Sequence, residues 1–417
     1  MTTDLAVQLF GPSALLRTHF VARSLPRPQP RAQRTVLDVS EFFGETSGGV
    51  RTYLTEKARF VERSSTLRQS IVVPGPRDAI TESARVRCYR VGSFPVPGQP
   101  PYRFLLDRAA SAMILAHERP DIIEVGSSGL APWHVLNTRR RFDIPLVSFF
   151  HSDIASVVGG ARQPRTLAGR ARASLAWRYI RYMDQRFSRT IVSSRYAANQ
   201  LATHGIGRTA YIPLGVDLRQ FHPAHRSRGL EQLAQLGIDE RPIAMFVGRF
   251  SQEKRLELLL AAWPRVAART GAQLVLIGDG PLRRRLLAIY AHPSIRWLGY
   301  MNRRVDVARL LAAADVVVSP CECETFGLAA VEALASGTPV LSADGGGAAE
   351  LITDSGGGML FPSGDSHGLA EQLERLLLSP SVARRERGRA HAERRHRWDD
   401  VFASLFAIYD DVLSGSQ

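Results

Sequence analysis

Lysine is nearly missing from this chain. Of its 54 lysines and arginines, only Lys57 and Lys254 are lysine. A composition that writes arginine almost everywhere leaves Lys254 where a compact point charge is useful. Cysteine is scarce too. Cys88, Cys321 and Cys323 make no disulfide framework, which excludes a small cross-linked secreted fold. With no secretory-leader pattern, a reducing cytoplasm is the expected setting. No apolar run approaches the roughly 18 residues that span a bilayer, so any membrane contact is expected at a surface. No Asp-x-Asp element occurs. Cys321-Glu322-Cys323 lacks the further ligands of a zinc site, so no metal is expected and the thiols are read as small, buried or half-buried side chains.

What is abundant is positive charge. The net charge of +15 and pI near 10.5 draw the chain toward anionic partners: lipid head groups, phosphorylated substrates or nucleic acid. The length of 417 residues suits two domains, and the 45% hydrophobic content is that of an ordinary α/β protein.

Residues 1–33 are arginine- and proline-rich and are expected to form an exposed extension. Thr35-Val36-Leu37-Asp38-Val39 then reads as a strand. Further apolar runs at 71–73, 86–91, 121–125, 144–150 and 190–194 alternate with helical runs such as 104–116, the pattern of a doubly wound parallel sheet. The pattern restarts at 243–247 and continues at 274–277, 295–298, 316–318 and 340–342. Between 162 and 189, arginines interleave with Leu175, Trp177, Tyr179, Ile180 and Tyr182. Two readings of this stretch stand: a basic amphipathic surface for an anionic membrane, or a helix packed by its aromatic face with solvated arginines opposite.

Pro320 to Glu332 reads P-C-E-C-E-T-F-G-L-A-A-V-E. A buried strand (Val316-Val317-Val318) precedes it and an Ala/Leu/Val/Glu helix begins within it. A helix N-terminus offers free N–H groups and a positive dipole end to a phosphate. The amides of Phe326, Gly327 and Leu328 are placed there, with Thr325 just before them. Glu324 lies in the loop. Glu332 lies about 12 Å further on if the whole interval is helical. Two carboxylates at that separation suit hydroxyls at either end of a sugar nucleotide, with its diphosphate between them. Gly248-Arg249-Phe250-Ser251-Gln252-Glu253-Lys254 follows another apolar run, and Arg249 and Lys254 form the cationic clamp a diphosphate needs. Earlier, Gly48 and Gly49 open a helix after the first strand, where glycine lets backbone approach a ligand.

Gly248-Arg249…Glu253-Lys254, Gly278-Asp279-Gly280-Pro281, Glu324-x7-Glu332, Pro339-Val340 and Gly345-Gly346-Gly347…Glu350 follow one another in an order and spacing that resembles the retaining glycosyltransferases of family 4. The resemblance covers residues 34–417. It implies the GT-B fold, two facing Rossmann-like doubly wound domains with a cleft between them. The boundaries expected are 34–220 for the acceptor-side domain, 221–397 for the donor-binding domain, and 398–417 for a last helix crossing back to the first. It further implies that His151, at the end of Leu146-Val147-Ser148-Phe149-Phe150, contacts the donor sugar. Gly48 and Gly49 match the family's glycine-rich first loop, and Tyr300 and Met301 fall where its backbone meets the nucleotide base. Two positions depart from the family: Leu214 stands where Asn is usual, and Cys321 where Ser is.

The function implied is transfer of a hexose from a nucleoside-diphosphate sugar to a hydroxyl, with retention and without a metal. Arg249, Lys254, Glu324 and His151 would carry the chemistry. The expected acceptor is a membrane lipid or envelope glycan, met from the cytoplasmic face. A small soluble acceptor is the alternative. A sugar-nucleotide epimerase or phosphorylase of the same fold fits the Glu324-x7-Glu332 pair less well. A basic nucleic-acid-binding protein has charge alone in its favour, and no nucleic acid is expected as partner.

Overall fold

The computed structural model describes residues 25, 34–44, 48–99, 101–129, 131–139, 143–160 and 166–415. Apart from Leu25, the extension read at 1–33 lies outside the described residues, as do Ser47, Arg162 and Arg165.

Fourteen strands among the described residues fall into two sheets. The first contains β1 (Arg34–Val39), β2 (Leu67–Gly75), β3 (Ala79–Glu82), β4 (Val86–Gly92), β5 (Ile122–Val125), β6 (Leu146–Phe149), β7 (Arg189–Val192) and β8 (Thr209–Tyr211), in the order β3-β4-β2-β1-β5-β6-β7-β8. The second contains β9 (Ile243–Val247), β10 (Gln273–Ile277), β11 (Ile295–Gly299), β12 (Val316–Ser319), β13 (Val340–Ala343) and β14 (Gly358–Phe361), in the order β11-β10-β9-β12-β13-β14. Only β3 runs antiparallel to its neighbour. Six strands of each sheet therefore share one doubly wound order, which reverses between β1 and β5 and between β9 and β12; ligands of such sheets sit outside the strand ends at that reversal.

The two-sheet α/β architecture is the one expected from the alternating apolar runs. Val316, Val317 and Val318 are buried on both faces of the sheet, which is why they read as a continuous apolar run. Three edge strands carried no such signal. Ala79-Ile80-Thr81-Glu82, Thr209-Ala210-Tyr211 and Gly358-Met359-Leu360-Phe361 lie at or next to sheet margins, are three or four residues long, and are only partly buried.

The helix Trp398–Ser414 leaves the second sheet and lies on the helix Gly49–Arg63 of the first. Trp398, Val401, Phe402, Leu405, Phe406 and Tyr409 line its buried face, the three- and four-residue spacing of an amphipathic helix. The rings of Phe60 and Phe406 stack at 5.8 Å, and Arg63 pairs with Asp399. The chain crosses between the domains twice, and the crossings run side by side. The Val216 amide donates to the His396 carbonyl at 2.8 Å, and the His396 ring meets the Leu214 carbonyl at 2.9 Å. Leu214 is thus a core side chain whose carbonyl does the polar work, which accounts for an apolar residue there. Arg389 donates to the carbonyls of Phe221 (2.7 Å) and Ala335 (2.6 Å), so part of the positive charge closes backbone at the linker.

Candidate active site at the domain cleft

The loops leaving β9 and β12 are neighbours because those strands pair directly. A short 3-10 turn, Gln252–Lys254, follows β9. The Lys254 ammonium pairs with Glu324, and Arg255 pairs with Glu322 at 3.0 Å. Two ion pairs therefore stitch one loop to the other. Arg255 is left-handed, at φ +52°, a conformation that costs a side-chain-bearing residue energy and persists where surrounding contacts impose it. Burial works against the charge on Lys254, but Glu324 outweighs it and raises the ammonium's pKa.

Two glycine turns brace this pair of loops from behind. Gly278 has φ +143°, and a Cβ there would stand 1.8 Å from the Gly248 carbonyl oxygen; only glycine fits. The Phe250 amide then donates to the Asp279 carbonyl at 2.9 Å. The Gly278-Asp279-Gly280-Pro281 turn is thus the backing of the Arg249 loop. On the other side, the Gly347 amide donates to the Glu324 carbonyl at 2.6 Å. Gly327, at φ +96°, turns the chain into the helix Leu328–Ala335. Because that helix begins at Leu328, only half of the Glu324-to-Glu332 interval is helical, and the separation read from a continuous helix does not hold.

Glu332 is buried and pairs with Arg304, which also donates to Thr52 of the opposite domain at 3.2 Å. Burial raises the Glu332 pKa, with Arg304 pulling it back. Phe326 is buried with its ring edge-on to His396 at 5.5 Å, and Leu328 packs on the same cluster; their side chains belong to the core. Tyr300 lies half-exposed just beyond β11, and Met301 packs inward beside it. Glu350 lies on the helix Gly346–Ser355, which the Gly345-Gly346-Gly347 turn opens. It reaches across the cleft and accepts from the amides of Arg195 (2.9 Å) and Tyr196 at the start of the helix Arg195–Thr203, where a carboxylate is favoured.

The first domain closes on this surface. His151 follows β6, stacks on Phe149 at 4.0 Å and meets the edge of Tyr53 at 4.9 Å. Its carbonyl accepts from Thr325 Oγ1 at 2.6 Å, and the Thr325 carbonyl accepts from Ser193 at 3.2 Å. Burial, then the nearby Lys57 charge, pushes the His151 ring down to about 3. The ring is therefore neutral at neutral pH, and its Nε2 is buried without a hydrogen-bond partner. Asp153, two residues on, caps the helix Ile154–Gly159, accepting from the Ser156 amide (3.0 Å) and hydroxyl (2.6 Å). Gly48 and Gly49 are exposed at the start of their helix, with nothing within 4 Å of an added Cβ. The protein itself makes no steric demand for glycine at that spot.

Arg249 is held by other partners than Lys254. Its Nη2 donates to Gln99 Oε1 at 2.9 Å, and its guanidinium lies 4.6 Å from the centre of the Tyr102 ring. Arg304, Gln99 and Tyr102 were not singled out from the sequence. Nothing in local spacing marks one arginine among so many, or ties residues about 150 positions apart. Among the described residues no group of three metal-ligating side chains occurs.

Comparison with known proteins finds a family match in each of the two domains. Residues 47–220 match Glycosyltransferase Family 4, and residues 241–379 match Glycosyl transferases group 1. A GDP-mannose-dependent alpha-mannosyltransferase of Mycolicibacterium smegmatis is 32% identical over 81% of this chain and 85% of its own length. A GDP-mannose-dependent alpha-(1-6)-phosphatidylinositol dimannoside mannosyltransferase of Mycobacterium tuberculosis is 30% identical over 89% and 95%. Among solved structures, sucrose-phosphate synthase from Thermosynechococcus elongatus superimposes with a TM-score of 0.77 over 92% of this chain and 100% of that one, at 23% identity. The fold and the level of identity to full-length relatives agree: the chain belongs to the family 4, group 1 glycosyltransferases of the GT-B fold.

Proposed function

We propose that the protein moves a hexose from a nucleoside-diphosphate sugar, GDP-mannose first among candidates, to a hydroxyl of a membrane lipid or envelope glycan, with retention and without a metal. The observation that carries this is the cation pair on the β9 loop. Lys254 is held at Glu324, while the Nε and Nη1 of Arg249 are shielded and have no hydrogen-bond partner. Together they supply positive charge for a departing diphosphate, and preorganised charge of this kind is usually the largest catalytic term.

In this reading the bond between the anomeric carbon and the diphosphate oxygen breaks as the acceptor oxygen bonds the same face. The acceptor proton passes to the leaving phosphate oxygen. Glu324 orients the sugar, neutral His151 hydrogen-bonds one of its hydroxyls through Nε2, and Glu332 with Arg304 lies toward the ribose. The names of the mannosyltransferase relatives support the donor and a lipid acceptor. The outer face of the helix Leu167–Asp184 supports a peripheral place on an anionic cytoplasmic membrane surface. Leu167 and Leu175 are 82% and 65% exposed there, beside exposed Arg170, Arg172, Arg178 and Arg181. The opposite face of that helix packs inward through Ile180 and Met183.

The test is a thermal-shift panel of GDP, UDP and ADP in the presence of EDTA. GDP is expected to stabilise the wild type more than Arg249→Ala, whose binding is weakened; no shift with any of the three removes the donor reading. For the membrane, sedimentation with phosphatidylglycerol vesicles should fall steeply as salt is raised. Equal recovery with uncharged vesicles would exclude an electrostatic surface.

A further inference from the structure

The segment between β4 and the helix Arg108–Glu118 belongs to the first domain, yet it reaches the second. Pro95 and Arg103 bridge as an antiparallel pair and close a small loop. The loop is braced internally: the Val96 amide donates to the Tyr102 carbonyl at 2.9 Å, the Tyr102 amide to the Gln99 carbonyl at 2.9 Å, and Arg103 to the Ser93 carbonyl at 2.6 Å. Tyr102 also leans edge-on against Phe42 at 5.8 Å. This braced loop presents a ring face and an amide oxygen to Arg249. The guanidinium lies 4.6 Å over the Tyr102 ring, and Nη2 donates to Gln99 Oε1 at 2.9 Å. An arginine has five N–H donors in a fixed plane. The ring takes its face and Gln99 takes one nitrogen, while Nε and Nη1 are left without partners although shielded from water. Uncommitted buried donors are costly, so the cradle holds a cation ready for an anion.

We propose that Tyr102, with Gln99, is a positioning residue: the acceptor-side loop cradles Arg249 and aims its free N–H groups at the donor diphosphate. This rests on the donor reading above and adds to it a link between the two domains. The diphosphate arginine is correctly set only when the acceptor-side domain is in place, so closure and leaving-group stabilisation become one event. The ring face, not the hydroxyl, is what the guanidinium meets.

The experiment is calorimetric titration of GDP into the wild type, Tyr102→Leu, Tyr102→Phe, Gln99→Ala, Arg249→Ala and the Tyr102→Leu/Arg249→Ala double variant, with a melting curve for each. Tyr102→Leu is expected to weaken GDP about 10-fold, on the order of a desolvated cation–π contact, with its melting temperature unchanged. Gln99→Ala should weaken it less, and Tyr102→Phe should bind as the wild type does. In the Arg249→Ala background Tyr102→Leu should cost nothing more, which a merely structural role would not produce. Unchanged GDP affinity in Tyr102→Leu, or full additivity in the double variant, overturns the inference alone. Failure of the wild type to bind GDP, UDP or ADP overturns the donor reading and this inference with it.

Discussion

Lys254→Ala is expected to slow glycosyl transfer by about 10²–10³-fold, the usual effect of deleting one preorganised donor at a developing anion. The structure says why the loss should be large. Lys254 is one of three cations on the β9 loop, with Arg249 and Arg255, and its partner Glu324 lies in the same site. Removing the ammonium subtracts a positive charge and leaves a carboxylate facing the departing diphosphate. The fold should survive, because the Arg255–Glu322 pair still joins the two loops. A double variant separates chemistry from architecture. Were Lys254 and Glu324 only a structural ion pair, Lys254→Ala with Glu324→Gln would recover activity, since neither charge is then left unpaired. On the present reading the double variant is at least as slow as Lys254→Ala. Transfer rates from single-turnover assays decide between them, and recovery in the double variant would sink the catalytic assignment.

Lys57→Met is expected to destabilise the protein by about 3–5 kcal/mol, the range for stripping one partner from a buried ion pair. Lys57 is fully buried. Its ammonium lies 2.6 Å from Asp38, 3.4 Å from Glu124 and 2.7 Å from the Tyr409 hydroxyl. Gln69 and Tyr53 complete the network through Asp38 (2.7 Å) and Glu124 (3.0 Å). Tyr409 belongs to the crossing helix, so one ammonium ties that helix to β1 and β5. In the variant two buried carboxylates lose their cation. The sign of the pH dependence follows. Burial already raises the Glu124 pKa, with Lys57 pulling it down; without Lys57 it rises further. A carboxyl whose folded pKa is raised stabilises the fold at low pH and loses that contribution as pH rises through the folded pKa. The deficit should therefore be smaller near about pH 5 than near about pH 8. Urea unfolding at the two pH values measures it; a deficit that grows on acidification would contradict this account.

The two lysines illustrate how far residues alone can be read. Both stand out against an arginine-rich composition, but only Lys254 lies in a motif that suggests a role. Lys57 sits in an ordinary amphipathic helix, and its partners are 19, 67 and 352 positions away. The strand pattern was legible because a parallel sheet covered on both faces demands continuous apolar runs, and the short edge strands were not because they are wet. The loop carrying Glu324 was legible because strand end, glycine turn and helix start are consecutive in the chain. The roles of Phe326 and Glu350 were not. Whether a side chain faces a cleft, a core or the neighbouring domain depends on what packs against it.

By itself, then, the sequence determined two doubly wound α/β domains, the reversal points where their loops gather, and a loop carrying Glu324 beside a loop carrying Arg249 and Lys254. These follow from local periodicity and from short-range order along the chain. Only the tertiary structure decided that Lys254 pairs with Glu324 and Glu332 with Arg304, that Tyr102 and Gln99 of the opposite domain hold Arg249, and that His151 is kept neutral with Nε2 free. Those are contacts between distant segments, and their energies depend on burial and distance, which exist only once the two domains have closed on each other.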